Sequence, residues 1–152
     1  MLVIVKPVGN FCNLRCDYCF YNELDQGRKR LMNFSLLEKI IYSLVKLGNR
    51  KVVMIWHGGE PLLAGMDFYK KAIELQKRFS EEVEFENRMQ TNATLINKDW
   101  INFFKENNFG IGISLDGISA AHDIQRFDSN YQSTFIIYLV RLRRAYALQM
   151  IY

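Results

Sequence analysis

The stretch Lys51-Val52-Val53-Met54-Ile55-Trp56-His57-Gly58-Gly59-Glu60-Pro61 decides how this chain is organised. Its first six residues are apolar except for Lys51, and the run is short, so it reads as a buried strand. The loop behind it holds two glycines, which let the backbone approach a ligand closely, and a proline that fixes the exit. A buried strand of this kind belongs to a parallel sheet covered by helices, and the flanking sequence supplies them.

Upstream, Leu2-Val3-Ile4-Val5 reads as a first strand. Ser35-Leu36-Leu37-Glu38 has the form of a capping box, and Leu37, Ile40, Ile41, Leu44 and Val45 recur at helical spacing until Gly48. Downstream, a helix from Asp67 to Phe79 turns Phe68, Ala72, Leu75 and Phe79 inward, and Val83 to Gln90 alternates as a third strand. Asn97 caps a helix carrying Trp100, Ile101, Phe103 and Phe104, and Gly110 to Leu115 forms a fourth strand. Strict alternation of strand and helix means parallel strands with right-handed crossovers. The expected fold class is therefore α/β: a partial (β/α) barrel of about four βα units. Such folds bind ligands at the C-terminal ends of their strands, where every polar motif of this chain falls.

Bulk properties narrow the class. With 152 residues, 49% hydrophobic and 14% aromatic, the chain suits one packed domain rather than disorder. A net charge of +4 with interspersed signs is a solvated surface, so no nucleic-acid partner is expected. No membrane association is expected either, because no stretch is apolar enough to span a bilayer and no signal-peptide layout is present. A cytoplasmic protein is the expectation.

The three cysteines lie in Cys12-Asn13-Leu14-Arg15-Cys16-Asp17-Tyr18-Cys19, too crowded and too few for a disulfide framework. Closely spaced thiolates suit an iron–sulfur cluster, and three of them leave one iron of a [4Fe–4S] cube open to a small molecule. Structural zinc and free thiols are the alternatives, although zinc normally takes four protein ligands and the two histidines, His57 and His122, are distant.

The remaining motifs have plainer readings beside their chemical ones. Glu60 can accept from an ammonium group, or belong to an ordinary turn. Gln90-Thr91-Asn92-Ala93 offers amides that bind ligands or form turns. Ser114-Leu115-Asp116-Gly117 places a hydroxyl and a carboxylate at a strand end, where Asp116 also suits a helix cap or a loop brace. Arg126 presents a fork suited to a carboxylate, while His122 and His57 suit structural roles.

The cysteine segment resembles the signature of the radical S-adenosylmethionine (radical SAM) superfamily, including the aromatic Tyr18 between the last two cysteines. Lys6-Pro7 and Phe20-Tyr21 around it are similar to the anaerobic sulfatase-maturating enzymes, and the resemblance runs from Val5 to about Phe135. It implies that Cys12, Cys16 and Cys19 hold a [4Fe–4S] cluster whose open iron is chelated by S-adenosylmethionine, cleaved to a 5′-deoxyadenosyl radical. It implies cofactor contacts from Tyr18, Gly58, Gly59, Glu60, Gln90, Asn92, Ser114 and Arg126. The implied substrate is a protein or peptide side chain, Cys or Ser oxidised to formylglycine in a sulfatase, with a reductant such as flavodoxin or ferredoxin. Related enzymes with the same core modify ribosomal peptides.

Residues 1–135 are expected to form the N-terminal part of the family's core domain, and 136–152 an atypical tail. Ile136 to Val140 is apolar without amphipathic spacing, and Arg141 to Arg144 concentrates charge. The family continues with further barrel strands and a cysteine-rich (SPASM-type) domain that carries auxiliary clusters and a catalytic acidic residue. The expectation is a truncated chain, competent or not for turnover, or a short protein that dimerises to complete its barrel.

Overall fold

A computed structural model of the protein describes residues 1–22, 31–128 and 130–137. Strands β1 (Leu2–Val5), β2 (Lys51–Trp56), β3 (Glu84–Thr91) and β4 (Gly110–Ile113) alternate with helices α1 (Phe34–Lys46), α2 (Met66–Lys77) and α3 (Lys98–Glu106). A short helix α4 (Ser119–Gln125) follows β4. The four strands form one parallel sheet in the order β1-β2-β3-β4, with Val5 beside Trp56, Trp56 beside Met89 and Thr91 beside Ile113. This is the expected partial barrel.

Burial follows the pleat. Val52, Met54 and Trp56 point into a core shared with Leu37, Ile41 and Leu44 of α1, Phe68, Ala72 and Leu75 of α2, and the four apolar residues of α3. The opposite face is not covered by the described residues: Leu2 and Ile4 are 59% and 57% exposed, and Val53 and Ile55 are half-buried. β2 is thus buried on one face rather than two, because α1, α2 and α3 all contribute to that single core. A closed barrel would enclose such a face.

The core is built on aromatic edges. Tyr69 meets Trp56 at 5.4 Å and Trp100 at 5.6 Å between centroids, both edge-to-face, the arrangement that ring quadrupoles favour. The polar atoms buried there are paired. Trp56 Nε1 donates to Asn87 Oδ1 at 2.9 Å, and the Asn87 and Gln76 amides bond each other in both directions at 2.8 and 3.0 Å.

Some boundaries move from their expected places. α1 is capped by Asn33, whose Oδ1 accepts from Leu36 N at 2.8 Å, and not by Ser35, which lies inside the first turn. Asn97 caps α3 as expected, accepting from Trp100 N. β3 runs one residue later than its apolar alternation implies, and β4 ends at Ile113, before Ser114 and Leu115. Within the expected tail, Ile136 is exposed, and positions 138–152 lie outside the described residues. No helix among the described residues is long and apolar enough to cross a membrane.

Candidate functional site

The parallel register brings the loops after β1, β2, β3 and β4 to one edge of the sheet, and the sequence motifs occupy those loops. The cysteine loop is held on two sides. Glu60 N donates to Phe11 O at 2.9 Å from the β2 loop, while Arg15 N and Asp17 N donate to Phe127 O and Gln125 O at 2.8 and 2.9 Å. Asn13 Nδ2 adds a bond to Thr94 Oγ1 at 2.8 Å behind β3.

Gly58 and Gly59 have φ of +85° and +51°, a region that glycine enters without the penalty of a side chain. What they approach is the cysteine loop itself. A Cβ on Gly59 would fall on the Phe11 carbonyl, and one on Gly58 would lie 2.8 Å from Gly9 O. The space on the Cβ side of both glycines is filled by the chain itself, by Phe11 backbone at Gly59 and by Gly9 O and the Lys6 side chain at Gly58.

Glu60 is fully buried. Its Oε1 accepts from Leu62 N at 2.9 Å and Thr91 Oγ1 at 2.8 Å, and its Oε2 from Asn92 N at 2.7 Å. Burial pushes its carboxyl up to about 7, against the pull of those three donors. The Glu60 carboxylate thus ties the β2 loop to the end of β3.

Asn92 continues that tie. Its Nδ2 lies 2.9 Å from Asn13 Oδ1 and 3.7 Å from Cys12 Sγ, and Leu14 N reaches the same sulfur at 3.4 Å. Cys16 is buried, and Cys12 and Cys19 are half-buried. Burial lifts the Cys12 thiol to about 11. It also raises Cys16, opposed by the Arg126 guanidinium and reinforced by Cys19 and Asp116.

Gln90 and Ser114 meet across β3 and β4, Gln90 Nε2 donating to Ser114 Oγ at 2.8 Å. Both are half-buried at the open edge.

Beyond them lies a charged knot. Arg126 Nε and Nη2 donate to the two Asp116 oxygens at 2.7 and 3.3 Å, and Tyr18 Oη donates to Asp116 at 2.9 Å. The guanidinium sits 5.2 Å from the Tyr18 ring centroid, a cation–π distance, and Nη1 lies 4.0 Å from Cys16 Sγ. Arg126 holds the Asp116 carboxyl below its ordinary value, while burial and Asp116 push the Tyr18 phenol up. His122 is buried, its Nε2 3.0 Å from Thr134 Oγ1, and burial lowers its pKa.

Sequence reasoning missed Asn13 and Thr94 as braces and the donors aimed at Cys12 and Cys16. The fork of Arg126, read as suited to a carboxylate, is engaged by Asp116. His57 accepts from Gly58 N at 2.6 Å, a local contact within the β2 loop.

The chemistry of the donor set is compatible with a cluster. The thiols come from one clamped loop, with N–H groups directed at two of the sulfurs. Among the described residues, no three His, Cys, Asp or Glu side chains converge to hold a single metal ion.

Comparison with known proteins agrees with this geometry. The chain is 40% identical over 141 residues to the serine-type anaerobic sulfatase-maturating enzyme of Bacteroides thetaiotaomicron, covering 90% of this chain and 34% of that protein. It is 40% identical over 138 residues to the cysteine-type enzyme of Clostridium novyi, covering 88% and 37%. The chain thus spans about a third of the length of these curated relatives. Native anSMEcpe with bound AdoMet (S-adenosylmethionine) superposes with a TM-score of 0.92 at 32% identity, over 99% of this chain and 42% of that one. The same enzyme with AdoMet and the Cp18Cys peptide gives 0.90 at 31% identity, over 99% and 41%. The profile described as "Radical SAM superfamily" matches residues 7–147, from the proline ahead of the cysteine loop past the arginine behind it, and this chain is a member of that superfamily.

Proposed function

We propose that residues 1–135 form the N-terminal part of a radical SAM core in which Cys12, Cys16 and Cys19 hold a [4Fe–4S] cluster and the strand ends bind S-adenosylmethionine. The observation that carries this reading is the cysteine loop, clamped between the β2 loop and the segment after α4, with donors directed at its sulfurs. When bound, the cluster supplies the electron for reductive cleavage of the cofactor's sulfonium bond, the source of a hydrogen-abstracting 5′-deoxyadenosyl radical.

The chain's own residues prepare that chemistry by position. Gly58 and Gly59 admit the cysteine loop, and Glu60 fixes the ends of β2 and β3 beside it. Gln90 and Ser114, paired and half-buried at the open edge, are the proposed polar contacts for the cofactor. Tyr18, Asn92 and Arg126 line the same edge, the last two turned toward cysteine sulfurs.

We assign the substrate as a Cys or Ser side chain of a protein or peptide, converted to formylglycine in a sulfatase. Relatives named as serine-type and cysteine-type anaerobic sulfatase-maturating enzymes share 40% identity with this chain, and a solved relative is described with bound AdoMet and a peptide. The proposal covers either side chain and includes a flavodoxin or ferredoxin reductant.

Anaerobic incubation of the reconstituted chain with dithionite and S-adenosylmethionine tests it. We expect 5′-deoxyadenosine from the wild type and background amounts from Cys16→Ala. The Gln90→Ala/Ser114→Ala double variant should bind the cofactor about tenfold more weakly, a loss of about 1.4 kcal/mol. Unchanged cofactor affinity in that variant would sink the contact assignment, and deoxyadenosine from Cys16→Ala would sink the cluster assignment.

A further inference from the structure

Arg126 sets a charged side chain beside a cysteine sulfur, and the surrounding chain fixes it there. Its guanidinium is held on Asp116 by two hydrogen bonds and lies over the Tyr18 ring, with Nη1 4.0 Å from Cys16 Sγ. Its backbone carbonyl accepts from Thr134 Oγ1 at 3.1 Å, and Asp116 N lies 3.5 Å from His122 Nδ1. The residue is 8% exposed, so water screens its charge little.

We propose that the Arg126–Asp116 pair sets the reduction potential of the cluster through Cys16, with Asn92 acting as a weaker, neutral donor at Cys12. The inference rests on the reading of the three cysteines as cluster ligands. Reduction adds negative charge that spreads onto the ligating sulfurs. A positive charge or an N–H directed at a sulfur therefore favours the reduced cluster and raises its potential. Asp116 is a positioning residue here: it aims the fork and offsets part of its charge. Removing the offsetting charge while keeping the shape, as Asp116→Asn does, should then move the potential opposite to the loss of Arg126, which a merely structural role would not do.

The test is redox titration of the reconstituted full chain, followed by electron paramagnetic resonance, after iron and sulfide content and the visible spectrum have shown the cluster to be loaded. Arg126→Gln should make reduction at least tenfold less favourable, about 59 mV for one electron. Asn92→Ala should shift it the same way by less. Asp116→Asn should make reduction more favourable, and Arg126→Lys, which keeps the charge, should lie between Arg126→Gln and the wild type. If Arg126→Gln fails to load, the opposite signs of Asp116→Asn and Asn92→Ala decide the matter. Loaded variants with unchanged potentials, or with shifts of one sign, would overturn the inference and leave the cluster reading intact. A wild type that takes up no cluster would overturn both.

Discussion

Gly59→Ala should lose about 2–5 kcal/mol of stability and fail to take up iron. Two costs add. An alanine at φ +51° pays the left-handed penalty of about 1–2 kcal/mol. Its Cβ would also overlap the carbonyl oxygen, carbonyl carbon and amide of Phe11, all backbone atoms with no rotamer by which to yield. Forcing such a contact apart costs about 1–3 kcal/mol and displaces the cysteine loop by its first residues. Against a typical stability of about 5–15 kcal/mol this is a large fraction. Gly48→Ala is the control, because Gly48 has φ +71° but no atom within 4 Å of its would-be Cβ. It should lose only the conformational part, about 1–2 kcal/mol, and load normally. Urea midpoints and iron content measure both; equal losses in the two variants would contradict the proposed clash.

The second large effect is a pH dependence carried by Glu60. Its carboxyl is raised from the ordinary 4.5 to about 7 by burial. Between those values the folded chain keeps a proton that the unfolded chain has released, so stability falls as pH rises. The contribution is complete below about pH 4.5 and gone above about pH 7, and it amounts to about 3 kcal/mol. Glu60→Gln keeps the shape and cannot ionise, so its stability should be flatter across this window. It should be the less stable protein at pH 5, where glutamine brings a second amide hydrogen among three donors. By pH 8 the gap should narrow or reverse, because only the wild type then buries a charge. Urea denaturation of the cluster-free proteins at both values would reveal it; parallel pH curves would contradict the assignment.

Much of the architecture was legible because it rests on short-range patterns. The apolar run of β2, the spacing of Leu37, Ile41 and Leu44, the cap at Asn97 and the inward aromatics of α3 are local signals, and each appears in the structure. The start of α1 was misplaced because Asn33 and Ser35 are both good caps two residues apart, and the backbone at Asn33 decides between them. Helix α4 gave no signal: it is 7 residues long, and Ile118 and Ile124 at its edges are exposed.

The site was legible as a set of motifs and not as a set of contacts. Glu60 looks like a ligand-facing acid in the sequence, where nothing shows that Thr91 at the end of β3 and Asn92 just past it, 31 and 32 positions along, supply two of its three donors. Arg126 looks like an open fork until Asp116 fills it, and its approach to Cys16 spans 110 positions. Such pairings depend on the sheet register and on the packing of the segment after α4, neither of which sequence spacing encodes. In the structure these buried side chains also brace the loops that carry the motifs.

The most direct test of the account is the iron and acid-labile sulfide content of the anaerobically reconstituted chain, beside Cys12→Ala, Cys16→Ala and Cys19→Ala. The account predicts about four iron and four sulfide per wild-type chain, with visible charge-transfer absorption, and loss of both in each variant. Stoichiometric zinc without labile sulfide, or a full cluster surviving Cys16→Ala, would contradict it.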